Sequence, residues 1–196
     1  MRALLLVLAM ALALPCRAAD PESGSEVTQL RLERTRDGID LYASVRLDLP
    51  HAVVDALEKG VPMVFLAEAE VTRKRWYWSD KQVASVQRHM RLAFAPLTQR
   101  WRLNVASGAL TANSLGLALN LHFDSLQEAM ATVQRIAGWK IVDAAVLEPN
   151  ATHTVVFRFG LDLSQLPRPF QIGAFGQSDW KVAVSATREL APEGVR

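Results

Sequence analysis

Ile39, Leu41, Ala43, Val45, Leu47 and Leu49 take every second position of one stretch, with Asp40, Tyr42, Ser44, Arg46 and Asp48 between them. Successive side chains of a strand point to opposite faces, whereas a helix brings every third or fourth residue to one side. This rhythm therefore requires a pleated strand, buried on one face and wet on the other. The same period recurs in Met63-Phe65-Ala67-Ala69-Val71, in Val86-Met90-Leu92-Phe94 and in Trp101-Leu103-Val105. It returns in Leu115-Leu117-Leu119-Leu121-Phe123, in Val155-Phe157-Phe159-Leu161-Leu163 and in Trp180-Val182-Val184. With the sparser run from Val27 to Arg36, about seven or eight one-sided strands predict a mainly β chain. The expected fold is an immunoglobulin-like antiparallel β-sandwich over residues 27–188, with one or two short helices.

The connections carry their own signals. Asp37-Gly38 between the first two runs predicts a tight hairpin, since a type I′ turn needs positive φ at both central residues. Val53, Val54 and Leu57 follow Pro50 at helical spacing, and Gly60 is placed to cap that short helix. Ser125-Leu-Gln-Glu128 is a capping box, and Leu126, Ala129, Met130, Val133 and Ile136 form one helical stripe, with Gly138 expected as the stop. Pro167 and Pro169 are expected to fix an extended crossover. The acidic, turn-rich residues 20–26 read as a disordered lead-in and residues 189–196 as a frayed tail.

Residues 1–19 have the pattern of a secretory signal peptide: Arg2, an apolar run from Ala3 to Leu14, Pro15, then the small Ala18 and Ala19. That run would extend only ~18 Å as a helix, short of a hydrocarbon core of roughly 30 Å, so no transmembrane segment is expected in the mature chain. Cleavage after Ala18 or Ala19 makes the protein periplasmic and removes Cys16, the single cysteine, which excludes a disulfide framework. It also removes Arg2 and Arg17 with no acid, leaving 20 basic against 20 acidic side chains, so the placement of charge matters more than its sum.

That placement is uneven. Between residues 73 and 102 stand Arg73, Lys74, Arg75, Lys81, Arg88, Arg91, Arg100 and Arg102 against a single acid, Asp80, with Trp76, Tyr77, Trp78 and Trp101 among them. Arg91, Arg100 and Arg102 fall on the polar phase of one hairpin, with Arg73 to Arg75 expected nearby, so a contiguous cationic strip is predicted. Such strips with aromatics suit nucleic acid, but an exported protein has no nucleic-acid partner to meet. The candidate binding residues are therefore Arg73, Arg75, Trp76, Trp78, Arg91, Arg100 and Arg102, facing an acidic protein surface or an anionic glycan or lipid head group. The competing reading is internal pairing, with Glu68 and Glu70 neutralising these arginines across strands while the tryptophans fill the core.

Catalytic signals are weak. His51, His89, His122 and His153 are scattered singly, with neither His-x-x-x-His spacing nor a cysteine to complete a metal site. No metal or cofactor is expected. His122, Asp124 and Ser125 lie close in sequence, but Ser125 already has a capping role and no nucleophile elbow is present. Glu68 and Glu70, two apart on one strand face and so ~7 Å apart, keep a carboxylate hydrolase as a third reading.

Several blocks resemble a known family: GVPMVFLAEAEV from Gly60, RKRWYWSD from Arg73, LTQRWRL from Leu97, LSQLPRPFQI from Leu163, and Asp179-Trp180. Together they are similar to the bacterial exported family DUF4390, over roughly Val27 to Ala186. The resemblance implies no activity, cofactor or site residue. It implies genomic company with a membrane sensor kinase of the nitrogen-regulation type. The expected role is a non-enzymatic accessory or protein-interaction module at the cell envelope, with a binding module for anionic glycan or lipid as the alternative.

Overall fold

The computed structural model describes residues 24–75, 80–108, 119–168, 170–171 and 180–192. The expected signal peptide, residues 20–23 of the lead-in, Trp76, Trp78, Leu115, Leu117 and residues 193–196 lie outside the described residues.

The alternating runs form β1 (Glu26–Thr35), β2 (Gly38–Arg46), β3 (Met63–Arg73), β4 (Lys81–Ala95), β5 (Arg100–Ser107), β6 (Leu119–Phe123), β8 (His153–Leu161) and β9 (Ala183–Leu190). A further strand, β7 (Arg135–Asp143), brings the described strands to nine. They pair antiparallel in two sheets, a three-stranded one in the order β1-β2-β7 and a six-stranded one in the order β6-β5-β4-β3-β8-β9. The chain is thus mainly β and a sandwich, as the period of two requires.

The register sorts each strand into an inner and an outer face. In the large sheet Phe65 stands opposite Met90 and Leu161, Ala67 opposite Phe159, and Leu92 opposite Leu103. These inner side chains meet Ile39, Leu41, Ile136 and Ile141 of the small sheet in one apolar core. Phe65, Phe157 and Phe159 lie at its centre, with Phe65 and Phe159 stacked at 6.3 Å between ring centroids. Burying each such side chain contributes on the order of 1.5–3 kcal/mol.

The first helix, α1 (His51–Glu58), ends as expected at Gly60, whose φ is +84°. The Gly60 N–H donates to Leu57 O and the Val61 N–H to Ala56 O, which satisfies the helix's last carbonyls. The second helix, α2 (Leu126–Val133), starts where the capping box places it, with Ser125 Oγ accepting from Glu128 N at 3.2 Å. It stops earlier than its apolar stripe suggested. Ile136 and Gly138 belong to β7, and Gly138, at φ +56°, sits in a strand where the pairing with β2 shifts register. Bulges erase strict alternation, which is why Ile136, Trp139, Ile141 and Val142 are all buried without a regular period.

Three smaller expectations are also corrected. The β1–β2 hairpin forms, but its loop residues are Arg36 and Asp37, with Thr35 paired to Gly38. Gln99 is the one non-glycine with positive φ among the described residues, so Asp37 does not make a type I′ turn. Pro167 begins a helical turn rather than an extended crossover, its carbonyl accepting from the N–H groups of Phe170 and Gln171. Finally, β9 runs on to Leu190, opposite His153, so Glu189 and Leu190 of the expected tail are paired in the sheet.

Candidate functional site

Strand parity places Arg91, Arg100 and Arg102 together on the outer face of the large sheet. Arg91 stands opposite Asn104 and Arg102 opposite Ala93, so the two arginines are diagonal cross-strand neighbours, with Cβ atoms roughly 7–8 Å apart. On the far side Arg102 faces His122 of β6. Arg100, two residues from Arg102 and on the same face, pairs with Asp124 at 3.1 Å. Asn104 donates to Asn120 beside them, an amide pair that brings no negative charge to the patch. Arg91 and Arg102 have no acidic partner among the described residues. Like charges at this spacing repel, so the face is electrostatically unfinished.

Arg73 and Arg75 lie elsewhere. Arg91 faces Val64, and Arg73 is nine residues further along β3, roughly 30 Å away at ~3.3 Å per residue. The strip expected from sequence is therefore two clusters at opposite ends of the sheet. The second cluster is largely neutralised. Arg73, only 17% exposed, pairs with Glu148 and Lys74 pairs with Glu189, while of Arg75 it is the backbone N–H, not the guanidinium, that donates to Asp80 Oδ1, at 3.4 Å. Arg73, Lys74, Arg75, Glu148 and Thr152 line an open cleft of about 720 Å³. Trp76 and Trp78, which sequence placed with this cluster, fall outside the described residues.

The internal pairing expected of the acidic strand also takes a different form. Glu68 accepts from Gln87 Nε2 at 2.7 Å, and Glu70 pairs with Arg158 of β8 at 3.3 Å. Neither neutralises Arg91 or Arg102. Nor do the two carboxylates converge on one hollow: a groove of about 630 Å³ around Gly160 is lined by Glu68 but not by Glu70.

The remaining polar residues do not assemble. Asp124 is held by Arg100 and Ser125 by the helix start, so neither turns to His122. His89 is buried with Nδ1 2.6 Å from Gly108 O. His153 is fully buried; neither ring nitrogen has a partner of good hydrogen-bond geometry, and the Ala151 backbone nearby favours the charged form only in part. Burial, and then the positive charges of Arg34 and Arg73, hold its imidazolium below the usual histidine range. Among the described residues no three His, Cys, Asp or Glu side chains are grouped to hold a metal ion. No helix among them is long and apolar enough to cross a membrane.

One member of the basic block, assigned to neither face by the sequence analysis, departs from the others. Arg88 shares the parity of Val86, Met90 and Leu92 and so points between the sheets, opposite Ala67 and Ser107. The signal was the gap it leaves in an otherwise apolar phase.

In comparison with known proteins, the family described as Domain of unknown function (DUF4390) aligns with residues 22–189. No curated protein and no solved structure matches the chain.

Proposed function

The chain belongs to the DUF4390 family, and from that premise and its unpaired arginine face we propose that it is a non-enzymatic docking module of the bacterial cell envelope. Exported to the periplasm by a cleaved leader, it sets the outer face of β4, β5 and β6 against an acidic surface on a protein partner. The observation that carries this reading is the pair Arg91 and Arg102, diagonal neighbours on adjacent strands with no acidic partner among the described residues. An acidic partner removes their mutual repulsion, and two flat surfaces meet without either opening a cleft. The family resemblance points to the outer domain of a membrane sensor kinase as that partner.

The test is binding of the purified protein to that kinase domain at low and moderate salt. Arg91→Glu with Arg102→Glu should weaken the complex about tenfold or more, chiefly through a slower on-rate that is less sensitive to salt. Lys181→Glu, outside the face, should leave it unchanged. Absence of binding, or binding indifferent to the double reversal, overturns the reading. Adhesion to anionic phospholipid vesicles or acidic glycan in place of the kinase domain would replace it with head-group recognition.

A further inference from the structure

The inner face of a sandwich is an apolar place, yet β4 turns Arg88 into it. Its guanidinium carbon lies 5.0 Å from the centre of the Trp139 ring on the facing sheet. Trp139 itself is 4% exposed. The Nε–H of Arg88 is buried and donates to nothing, and no carboxylate pairs with the side chain among the described residues. The nearby Lys140 is engaged by Asp143 at 3.4 Å.

A desolvated guanidinium with an idle donor is an expensive group to keep in a core. Desolvation accordingly lowers its proton affinity from the ordinary arginine value. Stacking on an aromatic ring offsets part of the penalty but leaves the donors in the ring plane of the guanidinium unused. Nε is shut off from solvent, but the Arg88 side chain lines a hollow of about 490 Å³ together with Val86, Trp139, Ser85, Ser107 and Lys140. The volume lies in the range of small-molecule sites.

We propose that this hollow binds a small monocarboxylate with an apolar or aromatic body, its carboxylate taken by the fork of Arg88 and its body laid between Val86 and Trp139. A guanidinium matches a carboxylate in two parallel hydrogen bonds. One free cation compensates one negative charge, which favours a carboxylate over a phosphate dianion. Ser85, Gln87, Ser107 and Lys140 are the other polar residues of its lining. Arg88 points between the sheets, whereas Arg91 and Arg102 lie on the outer face, so the site does not depend on the proposed docking face.

The experiment titrates the full chain with 3-phenylpropanoate while the Arg Nε–H and Trp indole signals are followed by NMR. A saturable shift at Arg88 and Trp139 is expected, with 3-phenylpropanamide and inorganic phosphate each about tenfold weaker or worse. Arg88→Met should abolish binding, and Arg88→Lys, which keeps the charge but loses the fork, should weaken it about tenfold. If the methionine variant does not fold, the lysine variant carries the comparison. No saturable shift, an equal response to the amide, tighter binding of phosphate, or unchanged affinity in the substituted protein that folds overturns the proposal.

Discussion

Gly38 opens β2 where the backbone of β7 comes closest, and replacing it by alanine tests how tightly the small sheet is fixed. The residue has φ +143°, and an added Cβ would lie 1.9 Å from Val142 O and 3.1 Å from Ala144 N. Cβ atoms do not approach within 3.0 Å of such atoms, so the strands would have to part by about 1 Å. That movement would strain the neighbouring bond from Ala144 N to Asp37 O, now 3.0 Å. A side chain forced into this φ region costs about 1–3 kcal/mol, and the overpacking roughly as much again. Gly38→Ala should therefore lose about 2–6 kcal/mol, a large part of a domain's usual 5–15 kcal/mol. At about 2–4 °C per kcal/mol for a chain of this size, the melting temperature should fall by roughly 4–24 °C. Gly108→Ala is the control, because Gly108 also has positive φ, +83°, but has nothing within 4 Å of its added Cβ. It should show the backbone penalty alone. Thermal unfolding followed by far-UV circular dichroism measures both, and equal melting temperatures would refute the argument from close approach.

Two other outcomes follow from single side chains. Because the folded protein holds the His153 imidazolium below its ordinary proton affinity, the unfolded chain takes up the proton first as pH falls through about 6.5. Stability is thus fully present above that pH and declines below it, toward the lower folded value. Urea unfolding across pH 7.5 to 5 should show the decline, and His153→Leu should flatten it; an unchanged slope would remove His153 as the cause. Ser125→Ala deletes the hydroxyl that accepts the Glu128 N–H at the start of α2 and should cost about 0.5–2 kcal/mol in the same assay. A neutral result there would mean that packing, not the cap, fixes the helix start.

Local rules acted where the chain had only itself to satisfy. The alternation of Ile39 to Val45 and of Met63 to Val71 names the buried face of β2 and β3, because side-chain direction in a strand follows from backbone geometry alone. The Ser125 cap and the Gly60 stop were equally readable, since each satisfies backbone groups within a few residues. The sequence determined, in short, that this chain builds one-sided strands, and which side of most of them is oily. Tertiary structure decided what those strands lie beside. Ile136 and Gly138 continue an apolar helical stripe, but pairing with β2 draws them into β7, whose bulges leave no period to detect. Likewise, a run of basic residues close in sequence is carried by β3 and β4 over the length of a sheet, so Arg73 meets Glu148 while Arg91 meets no acid among the described residues. Charge and packing partners come from residues tens of positions away, and no local pattern records which of them the folded sheets bring near.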